Sequence, residues 1–182
     1  LAVAADRLSR MLRHMPSTVL ERLERRGAAL HVIGVRQGVS SLPEHAHMKG
    51  VDGGYTGEKG ITLDQRARGM GGVLSSCGEE NLLECDTDPR YAGRDILVHE
   101  FAHCLMDAGG GNNDNIRQSS INDNDSARVR FTSSLVAGLP EGVVRDIRDT
   151  YERSVGTHKR WTRPDGTRAY AATNADEYFA EL

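Results

Sequence analysis

Between residues 93 and 108 the chain spells an amphipathic helix that carries two histidines one turn apart. Ile96, Leu97, Phe101 and Leu105 recur at helical spacing and give it an apolar face. Gly109-Gly110-Gly111 stops it. Inside it lies His99-Glu100-Phe101-Ala102-His103, an HExxH pattern. Residues i and i+4 share a helix face, so both imidazoles can reach one zinc ion. Glu100 stands beside them, placed to hold a water and take its proton. Alone, the same pattern also describes two ordinary histidines on a helix; its place in the middle of a strong apolar run is what separates the two readings.

The remaining composition sets limits around that helix. The chain has 182 residues, which suits one domain. A chain of this length buries about 70% of its unfolded surface and needs no staples to hold a core. No apolar run approaches the roughly 18 residues that span a membrane. A formal charge of −3 and the absence of a basic run give no support to nucleic-acid binding or a polybasic membrane contact. Aromatic residues are only 5% while glycines number 20, which points to a loop-rich enzyme-like domain rather than a helical bundle. The oligomeric state is left open by the sequence, with a monomer as the expectation.

Three cysteines are present: Cys77, Cys85 and Cys104. Cys77 and Cys85 flank a loop-like polar stretch and are expected to close a small disulfide ring. Cys104 falls within the helix and reads as a small buried residue. The chain opens on Leu1 without a signal-peptide pattern, so a removed leader or an origin in a longer product is expected.

Along the chain, residues 4–26 read as a helix broken near Pro16-Ser17, with Ser17 as a fresh N-cap. Residues 28–36 read as a strand, 37–60 as a glycine-rich loop, and 61–63 and 69–75 as two short strands. Residues 77–92 read as polar loop. Residues 112–126 form an Asn/Asp-rich insertion without full EF-hand spacing. A short helix is expected over 127–137, and another from Pro140 to about Val155. Trp161 to Tyr170 reads as a hairpin around Pro164-Asp165-Gly166, and a last helix starts near Asn174. His45 and His47 offer an i, i+2 pair for a second metal.

A catalytic zinc needs a third protein ligand and an open position. The metzincin extension is excluded, because its required glycine and histidine positions hold Met106 and Gly109. His158 is the one later histidine, in a polar turn. The other solution is a glutamate on a second helix. Glu177 and Glu181 are i and i+4, so one can bind metal while the other accepts an N–H from a ligating histidine. For an isolated pair, two solvated helix glutamates would be the better reading.

The combination is more specific. The HExxH, followed by Tyr170 and then Glu177-Tyr178-Phe179-Ala180-Glu181, resembles the catalytic domain of the anthrax lethal factor family of zinc metallopeptidases. The clostridial Pro-Pro endopeptidases belong to the same gluzincin branch. The resemblance covers residues 60–182. It implies one zinc ion held by His99, His103 and Glu177, with Glu181 behind a ligand. It makes Glu100 the general base and Tyr170 the donor to the oxyanion. Gly71, Gly72 and Val73 would belong to an edge strand that pairs with extended substrate backbone.

The expected fold is therefore α+β and zincin-like, a single domain with a small twisted mixed sheet. Residues 1–92 would supply the N-terminal helix and sheet, and 93–182 the HExxH helix and the glutamate helix. The implied activity is zinc-dependent endopeptidase, acting on a protein or peptide substrate through a metal-bound water. A secreted location is expected with it. The competing readings are a non-catalytic, zinc-stabilised binding or toxin-like module and a narrow self-processing peptidase.

Overall fold

The structure is a computed structural model that describes residues 1–52, 60–83, 93–107, 139–157 and 161–182. Two short helices open the chain, α1 (Ala2–Leu12) and α2 (Ser17–Arg25). Pro16 sits at the start of α2, where its missing N–H costs nothing. The expected break is there, but Pro16 rather than Ser17 takes the N-cap position and no side chain caps the helix.

The sheet has three strands in the order β1-β3-β2. β1 (Ala29–Ile33) runs parallel to β3 (Leu74–Gly78), with Ala29 opposite Leu74 and Ile33 opposite Gly78. β2 (Gly69–Met70) pairs antiparallel with β3, Met70 opposite Ser76. The architecture is thus mixed α+β around a small mixed sheet. Strand alternation sends Leu30, Val32, Ser75 and Cys77 to one face and Ile33 and Met70 to the other. A helix α3 (Leu63–Arg66) and two 3₁₀ turns (Val39–Ser41, Pro43–Met48) cover the second face, with Val39, Leu63 and Ala67 packed on Ile33 and Met70.

The first face is covered by α5 (Ile96–Asp107), which follows the short α4 (Glu79–Leu82). Ile96 and Leu97 pack with Cys77, Ala4 and Leu82, while Phe101, Cys104 and Leu105 join Val19, Leu23 and Val144. Asp95 caps α5, its Oδ1 accepting from Val98 N at 3.1 Å, and Arg7 of α1 holds the same carboxylate at 3.0 Å. α6 (Glu141–Thr157) and α7 (Ala175–Ala180) complete the fold. Tyr178 of α7 stacks edge-on with Tyr151 of α6 and with Trp161, and the Tyr151 hydroxyl donates to Ala172 O at 3.0 Å.

Several expectations change. Residues 61–63 do not form a strand; Thr62 and Gln65 form a reciprocal capping box that starts α3. The expected strand over 69–75 divides into β2 and β3 around Gly71-Gly72-Val73. The expected Cys77–Cys85 ring finds no support. Cys77 is a free, fully buried thiol in the central strand, not a residue of an exposed loop. Packed against Ile96 and Leu97, it serves as a small apolar residue. Cys85, His158, the insertion over 112–126 and the helix expected over 127–137 lie outside the described residues.

Candidate metal centre

The site lies between α5, the β2–β3 turn and α7. One turn of α5 aligns His99 and His103, whose Nε2 atoms stand 3.3 Å apart. Glu177 reaches them from α7: its Oε2 is 3.3 Å from His99 Nε2 and 3.5 Å from His103 Nε2. The glutamate's place is fixed locally, because the Asn174 side chain accepts the Glu177 N–H at 2.8 Å and so caps α7. His99, Glu100 and His103 are also grouped as potential metal donors, their ligand atoms within 4.8 Å of one another.

These three distances fit a metal better than hydrogen bonds. A charge-assisted N–H···O bond is about 2.7–2.9 Å long. Glu177 Oε2 is buried and makes no hydrogen bond, though it faces two ring nitrogens. Ligands at about 2.0–2.1 Å around a tetrahedral ion lie about 3.3–3.4 Å from one another. The three atoms stand 3.3–3.5 Å apart, a spacing that one bound ion could span.

The neighbours of the triangle hold it in place. His99 Nδ1 faces Glu181 Oε1 at 3.3 Å, and the Tyr170 hydroxyl donates to Glu177 Oε1 at 3.1 Å. Tyr170 stands on the 3₁₀ turn Tyr170–Ala172 just before α7, its ring 6.0 Å from that of His99. Arg94, just before α5, has Nη1 3.8 Å from Glu181 Oε1 and its guanidinium carbon 6.0 Å from the Tyr170 ring centre.

Charge follows the same geometry. Burial would lower the His99 pKa, but Glu177 and Glu181 outweigh it and raise it to about 10. His103 is raised as well, against its burial, chiefly by Glu177. Burial would raise Glu177, yet the two imidazoles hold its carboxyl at about 2. Glu100 goes the other way: burial pushes it up to about 7, in spite of the histidines beside it. Two carboxyls within one site are thereby separated, one held ionised and one poised near neutrality.

The glycines expected at the substrate edge bring the sheet onto this helix. A Cβ on Gly71 would lie 2.6 Å from His103 Cβ, and one on Gly69 would lie 2.8 Å from Glu100 Cγ. The backbone there lies directly against the face that carries the chemistry, and only hydrogen at those positions permits it. Gly72, with φ 112°, turns the chain, and its carbonyl accepts from the Ser75 hydroxyl at 2.7 Å. Val73 lies off the β2 edge: its side chain packs into the core and its carbonyl accepts from Ala29 N at 3.0 Å.

The structure thus gathers His99, Glu100, His103, Tyr170, Glu177, Glu181 and Gly71 in one place. His45 and His47 fall elsewhere, on the 3₁₀ turn over Pro43–Met48, and form no metal-donor group among the described residues. Arg94 and Asp95 escape the sequence reading. Asp95 carries a recognisable N-cap signal three residues before Val98. Arg94 carries none, because its partners are about 75–90 residues away.

No protein-family model and no curated protein matches the sequence. Among solved structures, the chain is similar to a Pro-Pro endopeptidase from Paenibacillus alvei. The likeness has 18% identity and a TM-score of 0.46, over 100% of this chain and 76% of that one. A likeness of that size leaves activity to be argued from the chain's own residues.

Proposed function

We propose that the protein is a zinc-dependent endopeptidase of zincin-like fold. The observation that supports it most is the triangle of His99 Nε2, His103 Nε2 and Glu177 Oε2, with sides of 3.3, 3.3 and 3.5 Å and a buried carboxylate oxygen lacking a hydrogen bond. Two imidazoles and a carboxylate form a donor set that suits zinc with one open position. When bound, zinc would supply Lewis acidity toward a carbonyl and toward water at neutral pH.

The remaining chemistry belongs to the side chains. Glu100, with its pKa raised by burial to about 7, takes the proton of the attacking water and passes it to the leaving amine. Tyr170 turns its hydroxyl from Glu177 Oε1 toward the carbonyl oxygen as negative charge develops there. Glu181 orients His99 through Nδ1, leaving Nε2 for the metal. Extended substrate backbone runs along the Gly69–Gly71 edge, where no side chain intervenes between it and His103.

The test pairs metal content with cleavage of a mixed peptide library. Wild-type protein is expected to hold one equivalent of zinc and cut peptides. Glu100→Ala is expected to keep the zinc and cut about 10²–10⁴-fold more slowly. Equal rates in the two proteins would refute the assignment of Glu100.

A further inference from the structure

We propose that Arg94 is a positioning residue that sets the orientation of two of the three candidate ligands at once. The proposal rests on the metal-site reading above. One guanidinium meets both residues that stand behind the ligands. Its Nη1 lies 3.8 Å from Glu181 Oε1, the same oxygen that lies 3.3 Å from His99 Nδ1. Its carbon lies 6.0 Å from the centre of the Tyr170 ring, whose hydroxyl donates to Glu177 Oε1 at 3.1 Å. Arg94 therefore acts on His99 through Glu181 and on Glu177 through Tyr170.

The chemistry needs arginine in particular. A flat, delocalised cation can turn an edge to a carboxylate and a face to an aromatic ring, whereas a lysine ammonium offers only a point charge. The place in the fold matters too. The neighbouring Asp95 caps α5 and is held by Arg7, so the backbone at Arg94 is anchored to the histidine helix. Its side chain reaches Glu181, the C-cap residue of α7. α7 has six residues and carries Glu177 in its first turn, so a contact at its far end limits how the whole ligand helix can tilt.

The experiment measures zinc affinity by chelator competition, steady-state kinetics, and the melting midpoint of the metal-free protein. It compares wild type, Arg94→Ala, Arg94→Lys, Glu181→Gln and the Arg94→Ala/Glu181→Gln double variant. Arg94→Ala is expected to weaken zinc binding about 10-fold, the low end for groups that orient a ligand. Arg94→Lys should recover part of that loss. kcat should fall more than KM changes, and the double variant should lose less than the sum of the singles because the two residues share one path. Zinc affinity unchanged in Arg94→Ala would overturn the proposal. So would additive losses matched by an equal fall in the metal-free melting midpoint, the mark of a simple tether. A wild-type protein that takes up no zinc would instead overturn the metal-site reading, and this inference with it.

Discussion

At the scale of single residues, Tyr170 and Glu177 are picked out by the family resemblance of their motif, but what they do to each other is not. The phenol donates to the carboxylate at 3.1 Å, so it is held at the site before any substrate arrives. Tyr170→Phe is expected to lower turnover about 10²–10³-fold, the usual cost of losing an oxyanion donor, while zinc content stays near wild type. Unchanged turnover in a kinetic assay would remove the tyrosine from the mechanism. Protonation gives a second expectation. Glu177, held at about 2, stabilises the metal-free fold above its ordinary value of 4.5 and loses that contribution as pH falls toward 2. His99, raised to about 10, stabilises fully below 6.5 and loses its contribution as pH rises through 10. Glu100, raised to about 7, makes the fold less stable as pH climbs from 4.5 to 7. Together these groups favour the metal-free fold most near pH 4.5. Urea midpoints should show the gap between wild type and Glu177→Gln narrowing as pH falls from 4.5 to 2; a gap that stays constant would contradict the assigned ion pairs.

At the scale of elements, helices with a one-sided apolar pattern are readable, while the sequence marks only the start of the central strand and reads its end as polar loop. The α5 helix announces itself through Ile96, Leu97, Phe101 and Leu105, and the start of α7 through Asn174. β3 contributes Ser75-Ser76-Cys77, all fully buried, yet such small and partly polar residues show neither alternation nor β-branched enrichment. Its burial is a tertiary fact: the Ser75 hydroxyl is satisfied by Gly72 O at 2.7 Å and Glu100 O at 3.3 Å, partners that local sequence does not display. The Arg68–Glu80 pair beside it is equally hidden, a buried bidentate contact that also ties Arg68 to Gly34 O at 3.1 Å. Two substitutions test the elements that frame the site. Gly71→Ala should drive a methyl into His103, destabilise the fold by about 1–3 kcal/mol and weaken zinc binding as well. Asn174→Ala should cost about 1 kcal/mol through the lost cap and free the turn that holds Glu177. Thermal unfolding with and without zinc measures both; wild-type behaviour from Gly71→Ala would show that the edge does not lie on the histidine helix.

At the scale of the whole molecule, the site is where three separately built parts converge. α5 brings the histidines and Glu100 because one of its faces is buried against the sheet. The β2–β3 turn lies on that helix because Gly69 and Gly71 leave room. α7 brings Glu177 because Tyr178 is held among Tyr151 and Trp161. The sequence shows which residues are suited to a metal, but the closing of the triangle depends on contacts that span the chain. The most direct measurement is peptide cleavage while zinc is titrated into the metal-free protein. The rate of new peptide termini should rise linearly and break at one equivalent. Zinc bound at one equivalent without new termini, or cleavage undiminished in the metal-free protein, would contradict the account.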